Sequence, residues 1–234
     1  MSAFGTERIF LNVERSLGGR RWLHALDPRS EALATQMSQA HGLPDIVSRV
    51  LAARGIAPDD AERFLAPTIR DLMPDPSTLT DMDVAAARIA DAVARKERIA
   101  IFGDYDVDGA ASAALLHRYL LRFGIEAPIR IPDRLTEGYG PNPAALAALA
   151  DAGATLIVTV DCGTTSPEAI AAVAGRADVV VLDHHQTGAE LPAALAVVNP
   201  NRQDDLSGLG HLCAAGVVFM LSLIHISEPT RLRR

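Results

Sequence analysis

From Arg98 onward, short apolar runs rich in β-branched residues alternate with longer segments whose apolar residues recur at helical spacing. The runs are RIAIFG, APIRIP, TLIVTV and DVVVLD, and between them lie AASAALLHRYLLRFG, PAALAALADAG and PEAIAAVAG. The first kind predicts strands buried on both faces, the second helices. Strands of this kind, joined by helices, make a parallel sheet covered on both faces with right-handed crossovers, so the fold class is α/β. Ligands of such open sheets bind at the carboxyl ends of the strands, and polar residues just after each run are the candidates for chemistry.

Upstream the pattern is looser. A loop-like stretch, RSLGGRRW, precedes helical spacing in LPDIVSRVLAARGI, with Gly55 as a stop signal, and a short helix is predicted in PDDAERFL. Pro67, Pro74 and Pro76 break the chain before an alanine-rich amphipathic helix, DVAAARIADAVARK. Residues 1–80 therefore read as a small, mostly helical leader and residues 81–221 as the main domain.

Composition narrows this picture. With 234 residues, 49% of them hydrophobic, the chain can fill one substantial core and a small accessory unit. It has no uninterrupted apolar run long enough for a membrane span, and its opening MSAFGTERIF has no apolar signal-type segment; the expectation is a cytoplasmic protein with no membrane partner. Cys162 and Cys213 form no CxxC pair and read as small, mostly buried thiols. A formal charge of -7 argues against a protein that merely coats nucleic acid, unless bound metal ions supply the positive charge.

The first run leads into Asp104, Asp106 and Asp108, followed by Gly109. Alternate carboxylates where a strand meets a helix can converge on a hard cation. A calcium-binding helix-loop-helix opens in the same way but needs a Glu at its twelfth position, which here is Leu115. One Asp could serve only the helix dipole; three crowded together repel unless a cation joins them. The third run ends in Asp161, followed by Gly163, Thr164, Thr165, Ser166 and Pro167, where Ser166 is a natural N-cap and the helix opening can face a phosphate. The fourth ends in Asp183, His184 and His185, a set suited to a transition metal such as manganese and to proton transfer.

GDYDVDG, VDCGTTS and LDHH, in this order, resemble the successive motifs of the DHH phosphoesterases. GDYDVDG, IPDRLTEGYGPN, VVNPNRQDD and CAAGVVFML, with ARGI and FLAPTIRDLMPDP upstream, are similar to the RecJ-type single-stranded-DNA exonucleases of that family. The resemblance covers nearly all of residues 10–221. It implies Asp106, Asp108, Asp161 and His184 as metal ligands, with Asp161 bridging two Mn2+ or Mg2+ ions. It also implies His185 at the scissile phosphate, Asp104 as a neighbouring acid, and Asp183 as the group that orients a histidine. Arg134, Gly138, Tyr139, Gly140, Thr164 and Thr165 are then candidate substrate contacts, although Asp133 stands where these proteins often have Asn. The implied activity is two-metal hydrolysis of phosphodiester bonds, 5′-to-3′, on single-stranded DNA in repair and recombination. The implied protein is a monomer, with a single-strand-binding protein left open as a further partner. Two other readings remain: a DHH enzyme for short oligonucleotides or cyclic dinucleotides, and a non-catalytic replication partner. The first would start almost at the first strand, and the second would lose motif positions that are intact here. The tail SLIHISEPTRLRR, residues 222–234, resembles translated sequencing-adapter DNA. The expectation is a non-native tail on an incomplete, weakly active or inactive piece, with a further metal-binding Asp and a closing domain beyond Arg234.

Overall fold

The computed structural model describes residues 8–227, and the chain divides into two units between Met73 and Pro74. Of the tail discussed above, Ser222–Ser227 continue the last helix, and residues 228–234 lie outside the described residues.

The first unit holds helices α1 (Pro28–His41), α2 (Asp45–Ala53), α3 (Ala61–Leu65) and α4 (Ile69–Leu72). Its core is Leu26, Ala34, Met37, Leu51, Ala52 and Ala61. Asp27 caps α1 by accepting from the Ser30 amide at 2.7 Å, and Gly42 closes it in the left-handed region. α2 and α3 fall where helical spacing predicts them. α1 was not anticipated, because Ala34 and Met37 are its only buried residues and such a thin apolar stripe leaves little periodic signal.

The second unit runs α5 (Met82–Ala94), β1 (Ile99–Gly103), α6 (Val107–Leu121), β2 (Ile129–Arg130), α7 (Pro143–Asp151), β3 (Leu156–Val160), α8 (Pro167–Ala171), β4 (Asp178–Leu182), β5 (Ala196–Val198) and α9 (Ala214–Ser227). All five strands are parallel, in the order β2-β1-β3-β4-β5. The chain leaves β1 toward one edge and builds from β3 toward the other, so the switch point of the sheet lies between β1 and β3. One face, including Phe102, Ile157, Val181 and Val197, packs on Leu146 of α7, on Ile170 of α8 and on Val173 just after it. Against the other lie α5, α6 and α9, which contact β5, β1 and β4. The parallel α/β sheet with helices on both faces is as the pattern predicts. Two details differ. APIRIP gives only the two exposed residues of β2, since an edge strand has a single neighbour, and β5 follows β4 without an intervening helix. Cys162 is buried, whereas Cys213 is exposed just before α9, contrary to the expectation for it. Among the described residues, no helix is long and apolar enough to cross a membrane.

The register levels the strand ends. Gly103 pairs with Val160, Val160 with Leu182 and Leu182 with Val198, so Asp104, Asp161, Asp183 and Asn199 each follow one row of paired residues.

Beyond β5 the chain is tied back to α5. The buried Arg202 donates to Asp81 at 2.7 Å, to the Val197 carbonyl at 2.6 Å, and to both oxygens of Asp204 at 2.7 and 2.8 Å. Asp81 also accepts from the Val197 amide at 3.1 Å. Arg202→Met keeps volume but leaves the Val197 carbonyl and Asp81 without this donor. We expect a loss of about 2–3 kcal/mol in urea unfolding, whereas a change under about 0.5 kcal/mol would mark the network as ordinary surface.

Candidate metal centre at the strand ends

The three aspartates after β1 have separate surroundings. Asp104 is buried, and one of its oxygens has no hydrogen-bond donor. Asp106 caps α6, accepting from the amides of Asp108 at 2.8 Å and Gly109 at 3.0 Å. Asp108, in the first turn of α6, reaches across to the start of α9 and accepts from Ala214 at 2.8 Å and Ala215 at 2.9 Å. Gly109 lies so close beneath the loop that a Cβ there would stand 2.4 Å from the Asp104 carbonyl oxygen.

Asp161, after β3, is fully buried, holds a left-handed backbone at φ 60°, and has no donor on either carboxylate oxygen. A non-glycine residue in that conformation is costly and tends to occur at functional sites. His184 presents Nε2 to this group, 3.3 Å from Asp161 and 3.5 Å from Asp108. Its Nδ1 lies 3.1 Å from the Leu212 carbonyl, which as an acceptor selects the tautomer that leaves Nε2 free as a ligand. The Nδ1 of His185 donates to Asp183 at 2.8 Å, and its ring lies 3.2 Å from the Tyr139 hydroxyl. Asp183 is itself buried and accepts the amides of His184 at 2.7 Å, His185 at 3.2 Å and Thr164 at 3.1 Å.

These surroundings set the charges. Burial, then the charges of Asp108 and Asp106, push Asp161 up to about 8. Burial likewise raises Asp104, while the Gly109 amide holds Asp106 below the usual range. Burial opposes charge on Asp183 and His185 alike, yet their mutual hydrogen bond, with the Thr164 hydroxyl and the amides of His185 and Thr164 acting on Asp183, outweighs it. Asp183 therefore moves down and His185 up.

Asp161 is common to two groups of potential ligands. One joins it to Asp104 and Asp106, the other to His184 and His185, each with donor atoms within 4.8 Å of one another. Buried carboxylate oxygens without donors, among other acids and beside an imidazole nitrogen with a free lone pair, fit divalent cations.

The remaining predicted residues divide. Gly138 and Gly140 adopt positive φ and set Tyr139 against His185, with ring centroids 5.8 Å apart. The Arg134 guanidinium lies 5.0 Å over the Tyr105 ring, which meets Tyr139 edge-on. Thr165 is exposed. Thr164 is buried, its hydroxyl accepting from Asn199 at 3.1 Å and its amide donating to Asp183 at 3.1 Å. Ser166 precedes Pro167 at the start of α8, but its side chain makes no cap bond. Sequence reasoning gave no role to Asn199 and Asn201, which bind the carbonyls of His185 and His184; the resemblance of VVNPNRQDD was the available signal.

Residues 98–232 match the model of the DHH family, N-terminal domain. The chain is 34% identical over 202 residues to the single-stranded-DNA-specific exonuclease RecJ of Bacillus subtilis, covering 86% of this chain and 26% of that one. It is 39% identical over 184 residues to the RecJ of Dickeya dadantii, covering 77% and 31%. Among solved structures it resembles RecJ in complex with Mn2+ from Thermus thermophilus, with a TM-score of 0.66 and 25% identity over 87% of this chain and 28% of that one. The chain thus spans about a quarter to a third of the length of these curated relatives. With a match that takes in more than half of its residues, among them the strand-end aspartates and both histidines, the chain belongs to the DHH family.

Proposed function

We propose that this protein is a metal-dependent exonuclease that hydrolyses phosphodiester bonds of single-stranded DNA from the 5′ end, in DNA repair and recombination. The observation that carries this reading is Asp161, a buried carboxylate without donors, shared by two groups of potential ligands at the ends of three adjacent strands. The similarity to RecJ exonucleases, and to a RecJ in complex with Mn2+, supports the substrate class and the metal.

Asp106, Asp108, Asp161 and His184 would hold two Mn2+ or Mg2+ ions. When bound, the ions would neutralise charge developing on the phosphate and make water acidic enough to supply a nucleophile near neutral pH. The chain's own residues do the rest. The Leu212 carbonyl fixes His184 with Nε2 toward the acids. Asp183 holds His185 and raises its hold on a proton, so a cationic imidazole can meet a phosphate or protonate a leaving oxygen. Tyr139, on the loop of Gly138 and Gly140, packs against His185 and limits its movement. Arg134 and Thr165, both exposed, are available to substrate phosphates.

Single-stranded DNA labelled at one end or the other, incubated with the protein and Mn2+, tests the reading. Labelled mononucleotide should appear first from the 5′-labelled strand; first release from the 3′-labelled strand would reverse the polarity. Retention of both labels by a full-length protein that carries this chain, with Mn2+ bound, would refute the enzyme. The two histidines should separate in calorimetric Mn2+ titration. His184→Ala should lower affinity by about 10-fold or more, and His185→Ala should lower turnover by about 10²–10⁴ with affinity near wild type. Equal losses of affinity would mean that both imidazoles are ligands.

A further inference from the structure

We infer that Asn199 and Asn201, in the loop after β5, are positioning residues that clamp the main chain of the histidine pair and so set the direction of its imidazoles. The inference rests on the metal-site reading above. The backbone of His184 and His185 is held from two sides. Both amides donate to one oxygen of Asp183. Both carbonyls accept from asparagines: His184 from Asn201, and His185 from Asn199 at 3.0 Å. Every main-chain polar group of the pair thus has a partner, although the pair lies in a loop.

The clamp is itself braced. Asn199 stands in the same row as Asp104, Asp161 and Asp183, is fully buried, and divides its amide between the His185 carbonyl and the Thr164 hydroxyl. Its oxygen accepts the main-chain N–H of Asn201 at 2.8 Å, which joins the two asparagines. Asn201 also donates to the Gly210 carbonyl at 3.3 Å, two residues before the Leu212 carbonyl that holds the His184 ring. One loop therefore fixes His184 at both backbone and ring. Gly210 leaves the room: a Cβ there would lie 2.6 Å from the Asn201 side-chain oxygen. An Asp at position 201 would set a carboxylate against two carbonyl oxygens, so the donor amide is the required feature.

Groups that orient metal-facing histidines are worth about 10–100-fold in metal affinity. Mn2+ binding followed by electron paramagnetic resonance of the free ion, on the 234-residue chain, tests the clamp without a turnover assay. Asn201→Ala removes the donor, and Gly210→Ala pushes it aside while keeping it. Each should weaken Mn2+ binding about 10-fold or more, and the double variant should be no weaker than Asn201→Ala alone, since both act on one contact. Thermal unfolding in a chelator should move little for Gly210→Ala, so that variant decides the matter if Asn201→Ala fails to fold. Affinities within about threefold of wild type for both variants, or strictly additive losses, would overturn the inference. A wild-type chain that binds no Mn2+ would instead refute the metal site on which the inference depends.

Discussion

Asp161→Asn is expected to abolish Mn2+-dependent hydrolysis in a full-length protein that carries this chain and, in the metal-free chain at alkaline pH, to raise thermal stability. Both outcomes come from one buried carboxylate. Its oxygens have no donors and its neighbours include Asp106 and Asp108, so in the absence of a cation its proton is held up to about 8. In the unfolded chain the same carboxyl titrates near 3.8. Between these values the folded state binds the extra proton. The stabilisation is therefore full below the unfolded value and is lost as pH rises through about 8. An amide resembles the protonated acid at every pH. In chelator, the melting temperature of Asp161→Asn should pull ahead of wild type from pH 5 to 9, by on the order of 5 °C or more at the upper end. Excess Mn2+ should reverse the order, because only the wild type gains from binding. The variant should also be catalytically dead; retention of more than about a tenth of the rate, under about 1.4 kcal/mol in barrier terms, would remove Asp161 from the centre of the site. A stability difference that is flat with pH would mean that the carboxylate is already compensated in the metal-free fold.

The parts of this site that were legible in the sequence follow directly from strand burial. β1, β3 and β4 are covered on both faces and read as unbroken apolar runs, which places Asp104, Asp161 and Asp183 at their ends without further information. Residues that work through the main chain left no such mark. Asn199 and Asn201 flank a proline, and their partners are carbonyls that no side-chain pattern reports. β5 is only three residues long, below the length at which a run separates from its surroundings. The contact between Thr164 and Asn199, which follows β5, likewise joins segments far apart in the sequence. The common cause is long-range packing. The edge of the sheet beyond β4 is specified by contacts between distant segments, such as Arg202 with Asp81, which periodicity does not encode.

Gly109→Ala should be strongly damaging, because among the described glycines it brings an added methyl nearest to backbone atoms. Its Cβ would lie 2.4, 2.7 and 2.8 Å from the carbonyl oxygen, carbonyl carbon and Cα of Asp104. All three are backbone atoms, so no side-chain rotation relieves the clash. Either α6 moves away from the end of β1 or the Asp104 turn shifts, and each route breaks a different part of the site. Moving α6 withdraws the Gly109 amide from Asp106 and pulls Asp108 from the amides of Ala214 and Ala215. Moving the turn displaces Asp104 from Asp106 and Asp161, the group within 4.8 Å that can hold an ion. Overpacking costs about 1–3 kcal/mol and a weakened cap about 0.5–2 kcal/mol, so a destabilisation of about 2–4 kcal/mol is expected, measured by urea unfolding in chelator. Gly188→Ala is the matched control: that glycine is exposed, and a Cβ there would meet nothing within 4 Å, so the change should stay within about 0.5 kcal/mol. Mn2+ affinity should fall with Gly109→Ala and hold with Gly188→Ala. If the two variants prove equally stable and bind Mn2+ equally well, the Asp104 turn has freedom to yield, and the close packing of α6 on β1 does not set the geometry of the centre.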